Sequence, residues 1–164
     1  MSSRPDFAVE PGPGQESVWD YPRPPALRRD ARLLEVRDGR TIVARSSRAI
    51  KVMETASPPT FYIPRADINL DRLEPVSDTT YCEWKGTATY WALAHNPTEP
   101  VAWCYERPRP RFEIIKDYLA FYPGRVDCRL DGEHVKTQPG RFYGGWITSE
   151  VVGPFKGEPG TGHW

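Results

Sequence analysis

The sequence predicts a mostly β domain with at most one or two short helices, and three observations support this prediction. The 164 residues include 18 prolines, about twice ordinary usage, and proline interrupts helices and central strands. Short runs of alternating apolar and polar residues recur between the prolines, as is typical of half-buried strands. Asp38–Gly39 and Asp131–Gly132 supply two-residue hairpin turns. The length suits one domain with its own core.

The elements follow from this pattern in chain order. The segment before Val18 is polar, rich in glycine and proline, and without periodicity. We therefore expect a flexible N-terminal arm at residues 1–17 and a single domain at residues 18–164. Residues 33–45 read as a hairpin, and residues 112–118 could form a short helix. Further strands are predicted at residues 49–54, 60–63, 86–94, 101–105, 118–122 and 125–130.

An internal repeat indicates how these strands are arranged. The pattern W-x-Y-x-R-P occurs at residues 19–24 and again at residues 103–108. A charged loop, a strand, a turn and a second strand follow each copy. We interpret the chain as two similar halves that build two antiparallel sheets, with chance recurrence as the alternative.

The amino-acid composition limits the classes of binding partner that we expect. Lys and Arg number 22 and Asp and Glu number 22, whereas nucleic acids and anionic membranes require clustered positive charge, so we expect neither. No apolar run approaches the roughly 18 residues of a membrane span, and no signal sequence is evident. Three widely spaced cysteines fit reduced thiols. We expect a cytoplasmic monomer or homodimer that binds an unknown small molecule.

We expect no metal and no cofactor. The three histidines show no H-x-H or H-x-x-x-H spacing, and no two cysteines form a C-x-x-C pair. The glycines do not match either phosphate-loop pattern, so they read as turn residues.

The strand-like run at residues 79–91 concentrates chemical groups: two tryptophans, two tyrosines, a thiol, a carboxylate and an ammonium. Glu83 and Lys85 flank Trp84, so on a strand their side chains point away from the ring. If that face lines a cleft, the pair can act as a base and an anion anchor. If it faces water, it is an ordinary surface ion pair.

Other residues join this candidate site. Flat rings bind flat or cationic molecules by stacking and cation–π contact, but the same rings can simply fill a core. Glu54, Arg65 and Asp127 lie beside apolar runs and either converge on one pocket mouth or end their strands in solvent. The aromatic candidates are Trp19, Tyr21, Trp84, Trp91, Trp103, Tyr105, Tyr143 and Trp146.

Four segments resemble the domain of unknown function 427 (DUF427) family. They are V-W-D-Y-P-R-P at residues 18–24, P-T-F-Y-I-P at 59–64, T-Y-C-E-W-K-G at 80–86 and F-Y-P-G-R-V-D at 121–127. Residues 142–148 and 152–157 resemble one branch of that family, so the resemblance spans nearly the whole chain from Val18 onward.

The resemblance implies a β-tent fold, in which two antiparallel sheets meet at an angle, as in methionine sulfoxide reductase B and the drug-binding domain of cereblon. The cereblon domain grips a small imide in a tryptophan cage. The resemblance implies no reaction, and no motif here supports the label nucleotidyltransferase-like that the family sometimes carries. The paired C-x-x-C zinc site of many β-tent proteins is absent from this sequence. Fold alone does not transfer function.

Three functions are therefore open. The leading hypothesis is small-molecule binding in an aromatic-lined pocket by Trp19, Tyr21, Arg65, Trp84, Trp103, Tyr105 and Trp146. The second is an enzyme acting on a small organic substrate, with Glu83, Lys85 or Asp127 as acid or base. The third is a structural or protein-interaction module whose rings only fill the core.

Overall fold

The computed structural model describes residues 4–140 and 142–164, and within them the predicted mostly β fold is confirmed. The strands are β1 (Glu16–Ser17), β2 (Ala26–Asp30), β3 (Leu34–Asp38), β4 (Thr41–Ser46), β5 (Ala49–Met53), β6 (Thr60–Ile63), β7 (Leu73–Cys82), β8 (Gly86–Leu93), β9 (Asn96–Cys104), β10 (Leu119–Phe121), β11 (Asp127–Leu130), β12 (Glu133–His134), β13 (Lys136–Thr137), β14 (Trp146–Ile147) and β15 (Val151–Val152). Four 3₁₀ helices lie at Val18–Asp20, Arg65–Asp67, Leu70–Arg72 and Pro110–Ile115. No described helix is long and apolar enough to cross a membrane.

Two antiparallel sheets dominate the architecture, as predicted. The large sheet has seven strands in the order β2-β5-β6-β10-β9-β8-β7, and the small sheet has four in the order β12-β11-β3-β4. Each half of the chain contributes strands to both sheets. Two further pairs complete the fold: β1 with β15, in parallel, and β13 with β14.

The predicted hairpin of the small sheet and the alternation along β11 are confirmed. The two turn residues between β3 and β4 are Gly39 and Arg40 rather than Asp38 and Gly39, because Asp38 ends β3 and pairs with Thr41. Gly39 has a φ of 61°. In β11, Cys128 and Leu130 are buried while Asp127 and Arg129 are partly exposed. This alternation follows from the period of two along a strand, which sends neighbouring side chains to opposite faces.

The expectation of one continuous strand over residues 79–91 is wrong, because the chain reverses direction within it. Strand β7 ends at Cys82, β8 begins at Gly86, and these two residues pair directly across a turn formed by residues 83–85. Gly86 has a φ of 105°, a conformation that glycine adopts without the steric cost of a Cβ atom. The candidate residues at 83–85 therefore lie on a turn rather than on a strand.

The two faces of the large sheet bury separate clusters. On one face, Phe61 and Ile63 of β6 join the main core with residues of the small sheet such as Val36 and Cys128. On the other face, Tyr62 joins a second, aromatic-rich cluster. Because side chains alternate along β6, this strand contributes residues to both clusters. The candidate site lies at the second cluster.

The chain ends pack beside the large sheet. Strand β1 pairs with β15, and the ring of Phe7 lies 5.2 Å from those of both Trp19 and Trp164. These contacts place part of the segment that we predict to be a flexible arm against the domain. Its flexibility in solution stays a prediction.

A buried lysine links the terminal segments to the large sheet. The side chain of Lys51, in the middle of β5, is 0% exposed, and its Nζ donates hydrogen bonds to Glu16 Oε1 at 2.8 Å and to Glu150 Oε1 at 2.9 Å. Tyr21 OH donates to Glu16 at 2.9 Å, and Arg32 Nη1 donates to Glu150 Oε2 at 3.0 Å. The charge of Lys51 is therefore compensated by carboxylates from both ends of the chain.

Replacing Lys51 with methionine is expected to lower the free energy of unfolding by about 3 kcal/mol. Removing one partner of a buried ion pair typically costs about 3–5 kcal/mol, and the partial exposure of the Glu16 side chain, 36%, favours the lower end. Urea denaturation followed by circular dichroism measures the change. The control is the triple variant Lys51→Met/Glu16→Gln/Glu150→Gln, which removes the charges together and should recover part of the loss. A loss under about 1 kcal/mol in the single variant, as for a surface pair, would contradict this account.

The stability of the protein should also fall in acid. Burial opposes ionisation of Glu16, but its hydrogen bonds with Lys51 and Tyr21 and the charge of Lys51 outweigh burial and hold its pKa below the ordinary value of 4.5. The pKa of Asp30 is lowered in the same way, because Arg32 outweighs burial. Such carboxyl groups bind fewer protons in the folded than in the unfolded state.

Their contribution to stability is therefore complete above the unfolded pKa and is lost as the pH falls through the folded pKa. We expect the urea midpoint to change little between about pH 7 and 5 and to decline below about pH 4.5. The Glu16→Gln variant should decline less steeply. An equal decline in the variant would show that Glu16 does not contribute.

Candidate ligand-binding site

A cavity of about 260 Å³ lies against the aromatic cluster of the large sheet. Its volume is close to the lower end of small-molecule sites, which run from about 300 to 1,000 Å³. The sheet supplies the floor, the β7–β8 turn supplies one wall, and residues between 138 and 156 supply another.

The floor is one row of residues that crosses the large sheet. The strand register places Ile50 beside Tyr62, Tyr62 beside Ala120, Ala120 beside Trp103, and Trp103 beside Tyr90. Because Ala120 carries only a methyl group, its two large neighbours meet across it. Trp103 Nε1 donates to Tyr62 OH at 3.0 Å, and the two rings stand at 87° with centroids 6.1 Å apart. The small residue in the row thus lets the two rings contact each other, and this contact holds both in place at the cavity.

Tyrosine hydroxyls surround this cavity. Thr80 Oγ1 and Tyr90 OH are 2.6 Å apart and share a hydrogen bond. Six of the eight tyrosines line the cavity: Tyr62, Tyr81, Tyr90, Tyr105, Tyr122 and Tyr143. An apolar site with a few polar groups of this kind is typical of pockets for small organic molecules.

Three of these tyrosines have raised pKa values. Burial raises the pKa of Tyr62, Tyr105 and Tyr122 well above the ordinary value. For Tyr105 the neighbouring Tyr62 and Cys82 add to the rise, and for Tyr122 the neighbour is Tyr90. The phenols are therefore neutral at physiological pH, and the hydroxyls of Tyr105 and Tyr122 hydrogen-bond with Cys82 and Tyr90.

The β7–β8 turn directs a lysine inward. Lys85 is 8% exposed, whereas Glu83 on the same turn is exposed and Trp84 is half-buried. Lys85 Nζ lies 3.9 Å from Cys82 Sγ, 5.9 Å from the ring centroid of Tyr105 and 5.8 Å from that of Phe112. The backbone oxygen of Lys85 accepts a hydrogen bond from the amide of Arg109 at 3.1 Å, which anchors the turn.

The opposite wall is held by Gln138. Its Oε1 accepts a hydrogen bond from the amide of Gly145 at 2.9 Å, and its Nε2 donates to the backbone oxygen of Lys156 at 2.8 Å. A Cβ atom at Gly144 would lie 2.5 Å from two ring atoms of Trp103. This wall thus approaches Trp103 as closely as a residue without a side chain allows.

Seven of the sequence candidates line the cavity. From the predicted ligand-binding set these are Trp84, Trp103 and Tyr105, and from the predicted catalytic set Glu83 and Lys85; Glu54 and Tyr143 join them. Trp84 and Trp103 are far apart in sequence, and the pairing of β9 with β8 brings them to one site.

Two of the remaining aromatic candidates have partners of their own. Trp146 is 1% exposed in the main core, where its Nε1 donates to the backbone oxygen of Phe121 at 3.0 Å. Trp19 Nε1 donates to the backbone oxygen of Pro154 at 3.0 Å. The described structure thus places both outside the cavity, together with Tyr21 and Trp91.

The two polar candidates outside the cavity lie elsewhere on the surface. Arg65 Nε donates to the backbone oxygen of Asp117 at 2.7 Å, and its guanidinium stacks over Trp91. Asp127 belongs to the small sheet, where Arg129 Nη2 lies 3.2 Å from its carboxylate and His134 Nε2 lies 3.4 Å from it. Neither residue reaches the cavity that contains Lys85.

The three cysteines are free thiols. Cys82 is half-buried at the cavity, while Cys104 and Cys128 are buried, and burial raises the pKa of both buried thiols. Within residues 4–140 and 142–164, no cluster of three His, Cys, Asp or Glu side chains is arranged to hold a metal ion.

Most of the residues that line the cavity are not among the candidates from the sequence. Tyr62 was recognised as part of a strand, but the face that it occupies depends on pairing with β10, which the local sequence does not show. The same holds for Tyr90 on β8. No local signal pointed to Gln138 or Lys156, because loops bring them to the site.

A family model described as a domain of unknown function, DUF427, matches residues 26–132. The chain belongs to the DUF427 family. No curated protein matches it. The matched part of this DUF427 domain contains the floor of the cavity and the β7–β8 turn, whereas Gln138, Gly144 and Lys156 follow it. The cavity is thus built jointly by the matched span and by the segment after it.

Substituting Gly144 tests the geometry of the wall. In Gly144→Ala the new methyl group would overlap the Trp103 ring, which its hydrogen bond to Tyr62 holds in place. We expect a loss of about 1–3 kcal/mol in the free energy of unfolding, as for other overpacked sites. A shifted tryptophan emission should accompany it.

Gly162→Ala is the matched control, because a Cβ atom there would meet nothing within 4 Å. It should change stability by less than about 0.5 kcal/mol, as a surface substitution does. Equal effects of the two substitutions would show that Gly144 does not touch Trp103 in solution.

Proposed function

We propose that this DUF427 domain binds a small planar organic molecule in the cavity on its large sheet. The observation that carries the proposal is a depression of about 260 Å³ whose lining combines Trp84, Trp103 and six tyrosines. Flat rings offer a planar ligand a large contact area at little cost in side-chain entropy, and the hydroxyls fix its orientation.

The lining is organised before a ligand arrives, which favours this proposal. Hydrogen bonds hold Trp103 against Tyr62 and Tyr90 against Thr80. The rings of Trp103 and Tyr122 also pack with centroids 4.7 Å apart. Side chains that are already ordered lose little freedom on binding, so more of the contact energy appears as affinity.

A second candidate function is catalysis on a small organic substrate. It is supported by the presence of Lys85, Glu83 and the Cys82 thiol at one cavity, where Lys85 Nζ lies 3.9 Å from Cys82 Sγ. An ammonium beside a neutral pocket can position a substrate or exchange a proton with it. Asp127 would take no part, because it lies on the small sheet.

Ligand titration monitored by tryptophan fluorescence tests the binding proposal. A library of one-ring and two-ring aromatic and heteroaromatic compounds should contain members that change the emission saturably and raise the melting temperature. Trp84→Ala should weaken those members at least tenfold, because it removes a ring from the lining.

Trp164→Ala is the control, since Trp164 is also half-buried but lies with Phe7 and Trp19 outside the cavity. Its affinities should equal those of the unmodified protein. Equal losses in both variants, or no saturable response to any compound, would overturn the proposal and favour a structural or protein-interaction module.

A further inference from the structure

We infer that the molecule bound in this cavity is an anion, most simply an aromatic carboxylate, and that the ammonium of Lys85 is its counter-ion. The inference rests on the proposed binding function and adds the charge class of the ligand. Its basis is a comparison of the two buried lysines of the chain.

Lys51 and Lys85 are the lysines among the buried residues that the structure describes, at 0% and 8% exposure. Lys51 Nζ contacts two carboxylates, at 2.8 and 2.9 Å. Lys85 Nζ forms no ion pair with any described carboxylate, and its contacts are the Cys82 sulfur at 3.9 Å and two aromatic faces. A charge that is withdrawn from water without a partner is strongly unfavourable. A bound anion would give Lys85 what Glu16 and Glu150 give Lys51.

The two acidic residues that line the cavity do not fill this role. Glu54 Oε2 lies 3.8 Å from Arg23 Nε, so its charge is shared with a cation outside the lining. Glu83 is exposed on the turn, with its side chain in solvent. Among the described lining residues the cations are thus Lys85, which is buried, and Lys156, which is half-buried with its Nζ 5.3 Å from the centroid of the Tyr143 ring. Neither acidic residue of the lining forms an ion pair with Lys85.

The sign of the ligand charge follows from the same lysine. An aromatic lining without other charges would suit a cation, because ring faces attract positive charge. Here the Lys85 ammonium already lies over the faces of Tyr105 and Phe112 and would repel a second cation. The protonated phenols of Tyr62, Tyr105 and Tyr122 carry no negative charge that would repel an anion. The one buried ammonium of the lining matches a singly charged group, and a carboxylate attached to a planar ring satisfies both features.

The experiment compares probes of one shape and three charges. Benzoate, benzamide and benzamidine are nearly isosteric and carry an anionic, a neutral and a cationic group. Indole-2-carboxylate and its carboxamide extend the comparison to two rings. Titration calorimetry and tryptophan fluorescence measure the affinities for the full chain. We expect the carboxylate of each pair to bind at least tenfold tighter than its amide, and benzamidine to bind most weakly.

Lys85→Gln keeps a polar side chain of similar length and removes the charge. In this variant each carboxylate should bind no more tightly than its amide. Lys136→Gln removes an exposed lysine of β13 outside the cavity lining and should preserve the preference, which controls for net charge. Circular dichroism of both variants confirms that they fold.

The outcomes separate the two proposals. Amides that bind as well as carboxylates to the unmodified protein would overturn the charge assignment and leave the binding function in place. A carboxylate preference that survives in folded Lys85→Gln would overturn the role of Lys85. If neither these probes nor the wider planar library binds, the binding function fails and this inference fails with it.

Discussion

The compensation of one buried charge supports much of this structure. Lys51 sits in the middle of a fully buried strand, and its ammonium is held by carboxylates from both chain ends, Glu16 and Glu150. Glu150 immediately precedes β15, which pairs with β1, and Lys156 follows a few residues later in a cavity wall. The ion pairs of Lys51 therefore attach the terminal segments to the large sheet. The wall of the candidate site is the continuation of that attachment.

The large sheet serves two purposes because its strands alternate. Phe61 and Ile63 anchor β6 in the main core, and Tyr62, between them, faces the cavity. The same backbone that is fixed by close packing on one face thus positions the rings on the other. A site on paired strands is held more precisely than one on loops, and here loops contribute only the walls. The contact between Tyr62 and Trp103 depends on Ala120 between them, where a larger residue would push the two rings apart.

Patterns within a few residues of sequence predicted the short-range features of the fold. The hairpin over residues 33–45 and the alternation through residues 125–130 were predicted correctly, with the turn itself one residue later than expected, because turn chemistry and a period of two act within a few residues. The β7–β8 reversal was missed, since residues 79–91 were read as one strand and residues 83–85 form a turn. Trp103 and Trp146 look alike in sequence, yet one lines the cavity and the other fills the core. Their faces are set by strand pairing across distant parts of the chain, which a single sequence does not reveal.

The two buried lysines differ in how their charges are compensated. Lys51 is fully compensated within the chain, so its burial serves the fold. Among the described residues Lys85 contacts only a thiol and two ring faces, so its burial is unfavourable in the protein without a ligand. Buried charges without a partner in the chain tend to occur at functional sites, where an external partner completes the interaction. An anion that binds only the folded state would remove this cost and shift the unfolding equilibrium toward the native protein. The unpaired charge is thus both a local weakness of the empty domain and a source of selectivity for what enters it.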